Sequence, residues 1–193
     1  MPKTITFLFD VGSPTTYLAH RRLPAIVART GAVVDYIPVL LGGIFKATGN
    51  AAPGLVAARG RYMNTDMARC AARDGITFAM NPDFPINTIT MMRMLTGTRG
   101  TRDFAPLAEV LFSGMWEHPR NLGDAAVLTA TLIGAGLDPD VHFARANDPA
   151  VKAALIDATD EAVRRGVFGA PTFFVGAEMF FGQDRLDWVE AAL

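Results

Sequence analysis

Cysteine is almost missing from this sequence: Cys70 is the single one among 193 residues. One cysteine permits neither an intrachain disulfide nor a redox cycle between two thiols. The composition therefore excludes disulfide oxidoreductase chemistry carried out by the chain's own sulfur atoms. We expect Cys70 to be a packed core thiol, because it lies at helical spacing from Met63 and Met67.

The sequence also lacks a charge imbalance and the clusters that hold metals or phosphates. Lysine and arginine total 18 against 19 for aspartate and glutamate, without a basic run, so we expect no nucleic-acid partner. His20, His118 and His142 are too scattered to predict a metal site. The segment 41–44, Leu-Gly-Gly-Ile, does not have the spacing of a dinucleotide or phosphate loop.

Long hydrophobic runs are missing as well. Asp10 ends the first apolar stretch after a few residues, which argues against a signal peptide. The segment 125–137 is interrupted by Thr129 and Thr131 and is shorter than the roughly 18 residues that a membrane span requires. We therefore expect a cytoplasmic protein that does not bind membranes. Half of the residues are hydrophobic, which is enough for a substantial core in one domain with or without an insertion.

What is present begins with a β-α-β pattern. The run 5–9 is apolar and rich in β-formers, and an amphipathic helix is predicted from Pro14 until Gly31. Residues 33–39 predict a second strand, which should run parallel to the first through a right-handed crossover.

Helices dominate the next hundred residues. Asp138 and Asp148 each precede a proline, the pattern of an N-cap followed by the first helical residue. The predicted helices cover 55–74, 88–98, 104–115, 124–135, 139–145 and 148–163. The tail predicts strands at 172–175 and 178–181, and a last helix capped by Asp184.

This order predicts an α/β protein: a thioredoxin-like fold with a large all-helical insertion. We assign residues 1–41 and 147–193 to the thioredoxin-like domain and residues 42–146 to the helical insertion. No linker or internal repeat separates them, so the two ends should share one mixed sheet.

The segment 9–17, Phe-Asp-Val-Gly-Ser-Pro-Thr-Thr-Tyr, predicts a helix start with Ser13 as the N-cap and Pro14 as the first helical residue. Free backbone N–H groups and the positive end of the helix dipole make such a start favourable for an anion. Helix capping alone is the simpler explanation for Ser13 at this point.

Two further motifs narrow the functional interpretation. One is near the end of the chain and has two parts: 166–172, Gly-Val-Phe-Gly-Ala-Pro-Thr, and 179–186, Met-Phe-Phe-Gly-Gln-Asp-Arg-Leu. The other is 40–50, Leu-Leu-Gly-Gly-Ile-Phe-Lys-Ala-Thr-Gly-Asn. With the Ser13 segment, these motifs resemble the 2-hydroxychromene-2-carboxylate isomerase family, whose near relatives are kappa-class glutathione transferases. The resemblance spans essentially the whole chain. Periplasmic disulfide oxidoreductases of the DsbA type are more distant relatives.

The resemblance implies glutathione as the cofactor, with Ser13 as the catalytic residue that donates a hydrogen bond to its thiolate. Ser13 and Thr16 occupy the two positions that are cysteines in the oxidoreductases. Lowering a thiol pKa from ~8.5 to ~6.5 requires about 2.7 kcal/mol. A hydrogen bond to a charged group supplies roughly 1.5–3 kcal/mol and a helix N-terminus roughly 0.3–1 kcal/mol. The two effects together are sufficient.

The other site residues also follow from the resemblance. It implies that glutathione is bound by the following residues besides Ser13: Ala170, Pro171, Phe181, Gly182, Gln183 and Asp184. It implies a cis bond before Pro171, whose alternative is a plain loop proline, and a carboxylate-binding role for Lys46, whose alternative is a solvated lysine. Asn50 and Phe84 complete the predicted substrate site, with Phe84 in place of a pocket tyrosine.

We therefore expect an enzyme of aromatic catabolism that acts on a small aromatic carboxylate. The first hypothesis is a glutathione-dependent cis–trans isomerase that interconverts 2-hydroxychromene-2-carboxylate and trans-o-hydroxybenzylidenepyruvate or a related substrate. The second is a kappa-like transferase that conjugates glutathione to electrophiles. A third, of another class, is a non-catalytic thioredoxin-fold binding module. The resemblance further implies a homodimer.

Overall fold

The chain begins with a strand, a helix and a second strand, as its apolar spacing predicts. The computed structural model describes residues 3–193. Strand β1 is Thr4–Phe9, helix α1 is Pro14–Thr30 and strand β2 is Val33–Pro38. Strands β1 and β2 are parallel, with Thr4 opposite Val33 and Phe9 opposite Pro38.

The end of the chain completes the sheet. Strand β3 is Thr172–Val175 and strand β4 is Glu178–Phe181, and both bounds agree with the prediction. The strand order is β2-β1-β3-β4, with β3 antiparallel to both of its neighbours. The two ends of the chain therefore form one mixed sheet, and β1 lies inside it.

Helices make up most of the remaining chain. They are α2 Leu41–Thr48, α3 Ala57–Asp74, α4 Ile89–Thr98, α5 Phe104–Trp116, α6 Ala125–Gly134, α7 Pro139–Asn147, α8 Pro149–Arg164 and α9 Leu186–Ala191. Two 3₁₀ turns lie at Pro53–Leu55 and Gln183–Arg185. This arrangement confirms a thioredoxin fold with a helical insertion, while the exact boundaries of the two domains stay a prediction.

Both faces of the sheet are covered. On one face Phe7 stacks on Phe173 with 5.1 Å between ring centroids, in a core that includes the fully buried Met91 and Met92 of α4. On the other face a smaller cluster joins Leu8 to Ile44 of α2. Within residues 3–193, none of the helices is both long and apolar enough to cross a membrane.

Two local predictions differ from the structure. Helix α2 was not predicted, because its first turn contains Gly42 and Gly43 and its N-cap is Leu40, which has no polar side chain. The prediction that Asp184 caps the last helix is wrong. Asp184 lies inside the 3₁₀ turn, and α9 starts after Arg185 without a side-chain cap.

Candidate active site

Ser13 lies where β1 leads into α1, and it is 4% exposed. As predicted, it is the N-cap: its Oγ accepts a hydrogen bond from the Thr16 N–H at 3.2 Å. The same Oγ donates to the carbonyl of Ala170 at 3.0 Å. Its third contact is the Thr15 hydroxyl at 3.0 Å, which must be the donor because the Ser13 hydrogen already points to Ala170.

The loop before Ser13 is fixed by helices of the insertion. The indole Nε1 of Trp116 in α5 donates to the carbonyl of Val11 at 2.7 Å. Gly12 is required here, since a Cβ at this position would lie 2.8 Å from the Thr88 Cγ2. Helices α4 and α5 therefore hold the loop that presents Ser13.

Asp10 is a buried carboxylate below this loop, 2% exposed. Its two oxygens accept hydrogen bonds from the N–H groups of Gly12 and Leu41, each at 2.9 Å. Burial raises the pKa of Asp10, and these two bonds and the Thr88 side chain oppose that rise.

The loop before β3 forms the facing wall. The Ala170–Pro171 bond is cis, as the resemblance implies. The carbonyl of Pro171 accepts a hydrogen bond from Gly182 N–H at 3.0 Å, which ties this loop to the end of β4. Within residues 3–193 the N–H of Ala170 has no hydrogen-bond partner. Ser13, Ala170, Pro171 and Gly182 are therefore brought together.

Gly182 has φ +102° and ψ 150°, a conformation that favours glycine. Phe181, next to it, is 40% exposed and packs on Phe168 with 4.5 Å between ring centroids. The Asp184 carboxylate is largely exposed and pairs with Arg185 at 2.8 Å.

Gln183 is directed away from the site. Its side chain is 7% exposed, and its Nε2 donates to the Sγ of Cys70 at 3.4 Å. Arg22 of α1 donates to both the backbone carbonyl of Gln183 at 2.8 Å and its Oε1 at 3.2 Å. The backbone N–H of Gln183 remains available to a ligand, and Arg22 fixes the position of this turn.

The predicted substrate residues fall into two places. Lys46 lies in the last turn of α2 and is exposed, and within residues 3–193 it makes no ion pair. Asn50, just after α2, donates from Nδ2 to the carbonyl of Phe168 at 2.8 Å. Phe84 is 37% exposed on the insertion side, 5.7 Å from the Trp116 ring.

A charged network joins α1 to α5 behind the site. Tyr17 donates to Glu117 at 2.7 Å, and Arg21 donates to Glu117 and to both oxygens of Glu109. The neighbouring His20, 3.8 Å away, and the Arg21 guanidinium lower the pKa of Glu109 to about 2 despite partial burial. The bonds from Arg21 to Glu109 hold α1 against α5.

Comparison with known proteins shows the family of this chain. The family model of a DsbA-like thioredoxin domain matches residues 4–193. The chain is 31% identical over 195 residues to a 2-hydroxychromene-2-carboxylate isomerase of Sphingobium xenophagum, with 100% of this chain and 99% of that protein covered. The chain belongs to this isomerase family, within the DsbA-like thioredoxin fold.

Further comparisons agree with this family and this fold. A 2-hydroxychromene-2-carboxylate isomerase superposes with a TM-score of 0.88 at 26% identity, covering 98% of this chain and 93% of that one. The human glutathione S-transferase kappa 1 is 25% identical over 201 residues, covering 97% of this chain and 89% of that protein. A probable DsbA oxidoreductase of Streptomyces coelicolor, at 19% identity and a TM-score of 0.74, shares the fold, with 99% of this chain and 88% of that one covered.

Sequence reasoning missed four residues that shape the site. Asp10 is predicted only to end an apolar run, although a polar residue at the carboxyl end of a buried strand also indicates the sheet edge where ligands bind. Thr15 is predicted only as part of the helix start. Trp116 and Phe168 could not have been found, because only the tertiary contacts place them beside Val11 and Asn50.

Proposed function

We propose that this protein is a glutathione-dependent cis–trans isomerase of 2-hydroxychromene-2-carboxylate or a related aromatic pyruvate. The observation that carries the proposal is the Ser13 hydroxyl, which stands at the α1 N-terminus 3.0 Å from the Ala170 carbonyl. Neither Ser13 nor Thr16 can form a mixed disulfide. A hydroxyl donor at a positive helix end suits a thiolate that another molecule supplies.

Several unpaired groups fit glutathione. The N–H of Ala170 lies beside Ser13 and could pair with an extended peptide as an added strand would. Within residues 3–193 the N–H groups of Gln183 and Asp184 also have no partner, and they could receive an α-carboxylate. The Asp184 carboxylate offers an acceptor for the α-amino group, in competition with Arg185.

Held by Ser13, the Ala170 N–H and the Gly182–Asp184 turn, glutathione would supply a thiolate for reversible addition to the conjugated double bond of the ring-opened substrate, whose hemiketal C–O bond breaks in one direction and re-forms in the other. No atom is gained or lost overall. Ser13 would turn its hydrogen from the Ala170 carbonyl to the sulfur, and the α1 dipole would further favour the thiolate. Lys46 would hold the substrate carboxylate, with Asn50 and Phe84 as further contacts.

The test follows absorbance as the two isomers interconvert in the presence of purified protein and glutathione. S-methylglutathione is the matched control, because it keeps the peptide and blocks the sulfur. We expect turnover with glutathione and none with the methylated compound. A full rate without any thiol would overturn the proposal.

The kappa-like transferase remains a second candidate, because a kappa transferase matches 97% of this chain. The two functions differ in their products. A stable thioether detected by mass spectrometry after incubation with an electrophile indicates a transferase, whereas an unmodified isomer indicates an isomerase. The binding-module alternative instead predicts no heat of glutathione binding in calorimetry.

A further inference from the structure

Asp10 is a buried carboxylate that has no role in the proposed mechanism. It is 2% exposed, and within residues 3–193 it has no cation partner. Burying a carboxylate is costly unless hydrogen bonds replace the lost water. It lies three residues before Ser13, so the groups that bind Asp10 are held close to the candidate site.

The two N–H groups that bind Asp10 lie close to the starts of two helices. Gly12 comes two residues before α1, and Leu41 is the first residue of α2. Thr88, at the N-cap position of α4, makes no side-chain capping bond and packs against the same loop, where a Cβ at Gly12 would lie 2.8 Å from its Cγ2. The Leu41 N–H is one of the free N–H groups of a helix start, where the partial positive charge favours a carboxylate.

Helix α2 depends on this contact more than α1, which has Ser13 as its own cap. Its N-cap, Leu40, has no side-chain acceptor, so the first N–H group would be unsatisfied without Asp10. The Leu40 N–H itself is held by the Thr159 hydroxyl of α8 at 3.0 Å. The start of α2 is thus fixed at two consecutive N–H groups, and Lys46 follows about 7.5 Å further along the helix axis.

We propose that Asp10 is a positioning residue that fixes the start of α2 to the β1–α1 loop and thereby sets Lys46 relative to Ser13. This inference rests on the proposed function, in which Lys46 binds the substrate carboxylate. Asp10 itself does not reach the substrate, because it is buried and its oxygens are occupied by Gly12 and Leu41.

The most specific variant removes the N–H group of residue 41, which binds Asp10, and leaves Asp10 unchanged. Leu41→Pro deletes the donor, and proline is well tolerated as the first residue of a helix. Leu40 has φ −94° and ψ 106°, which suits a residue before proline. Leu41→Ala is the matched control, because it removes the same side chain and keeps the N–H group. Asp10→Asn removes the charge directly.

We expect Leu41→Pro to raise the KM for the aromatic carboxylate about 10-fold over Leu41→Ala, with glutathione affinity unchanged, because misplaced contacts reduce substrate binding. In a Lys46→Met background this difference should vanish, since no ammonium group is left to misplace. Equal KM values for the two Leu41 variants, or a difference that persists without Lys46, would overturn the inference.

Hydrogen exchange separates this inference from the proposed function. The amides of Ile44 and Phe45 should exchange faster in Leu41→Pro and Asp10→Asn than in Leu41→Ala, whether or not the protein turns over a substrate. Unchanged exchange shows that Asp10 does not anchor α2. A wild type that neither binds glutathione nor isomerises the substrate refutes the proposed function, and faster exchange would then still support the anchoring.

Discussion

Ser13 already makes three hydrogen bonds, which constrains how it can act. It accepts from Thr16 N–H and from the Thr15 hydroxyl, and it donates to the Ala170 carbonyl. In the proposed function, a thiolate must therefore replace the Ala170 carbonyl as the acceptor. Such an exchange favours the charged sulfur, because hydrogen bonds to ionised acceptors are roughly twice as strong as neutral ones. Within residues 3–193 none of the three partners of Ser13 is a base that could activate its oxygen as a nucleophile, which favours the proposed role of stabilising an external sulfur.

Replacing Ser13 with alanine should lower kcat/KM by about 10- to 100-fold, the equivalent of roughly 1.5–3 kcal/mol for a bond to a charged group. The pKa of bound glutathione should rise by about 1–2 units, because the thiolate loses its donor. A pH–rate profile measures both effects. Thr15→Val is the control and should lose less than about 10-fold, since its bond is to a neutral oxygen. Equal losses in the two variants would contradict this role of Ser13.

Gly182→Ala should weaken glutathione binding and destabilise the fold by about 1–3 kcal/mol, because φ +102° with ψ 150° strains any residue with a Cβ. The added Cβ would also lie 2.5 Å from the Asp184 carboxylate. Calorimetric titration and urea denaturation measure the two effects. Gly134→Ala, at an open position, should change neither by much. Unaltered glutathione affinity in Gly182→Ala would remove this turn from the proposed site.

At the scale of elements, the site depends on the insertion. The β1–α1 loop is held by Trp116 of α5, by Met92 of α4, whose Sδ lies 3.4 Å from Val11 N, and by the contact of Asp10 with α2. The thioredoxin-like strands supply the loop, and the added helices determine where it points. Helices α4 and α5 are therefore part of the scaffold of the candidate site.

Trp116→Phe tests this support. It leaves the buried Val11 carbonyl without its donor, and we expect a loss of roughly 1–3 kcal/mol in unfolding free energy and a lower kcat. Circular dichroism during denaturation and steady-state kinetics give the two values. Trp188→Phe is the matched control: Trp188 is 66% exposed, so stability should change by less than about 0.5 kcal/mol. A normal kcat in Trp116→Phe would show that α5 does not support the loop.

Elements with local signals were predicted well. Asp138 and Asp148 cap α7 and α8 as expected, each accepting hydrogen bonds from the first turn of its helix. The hairpin agrees to the residue. Helix α2 was missed because its cap comes from Asp10, 31 positions away in sequence, and no local pattern records such a contact.

At the scale of the whole molecule, we predict that protonation of His142 lowers the free energy of unfolding in mild acid. It is 2% exposed, and its Nδ1 has no hydrogen-bond partner among the described residues. Burial lowers its pKa below the ordinary 6.5. As the pH falls, the unfolded chain therefore takes up a proton at a higher pH than the folded protein does. The stabilisation that neutral His142 provides is complete above pH 6.5 and is lost as the pH falls from 6.5 towards the pKa of the folded state.

Thermal denaturation between about pH 7.5 and about pH 5.5 tests the role of His142. This pH range contains the ordinary histidine pKa of about 6.5 and lies above the range in which most carboxylates titrate. We expect a smaller decrease of Tm in His142→Leu than in the wild type, because leucine cannot take up a proton. His118→Leu is the control, since His118 is exposed. An identical pH slope in wild type and His142→Leu would contradict the prediction.

The homodimer stays a prediction. Light scattering coupled to size exclusion should give twice the 20.7 kDa of one chain. A mass of one chain at all concentrations would exclude it.

The sequence by itself determined the thioredoxin-like order of elements, the capped start of α1 at Ser13 and, because it contains a single cysteine, that no intrachain disulfide can form. These features depend on local periodicity, capping and composition, which a linear sequence records directly. Only the tertiary structure decided that the Gln183 side chain contacts Arg22 and Cys70, and that Asp10 joins the β1–α1 loop to the start of α2. Those contacts are long-range hydrogen bonds between buried groups, and their partners are selected by packing rather than by proximity in the chain.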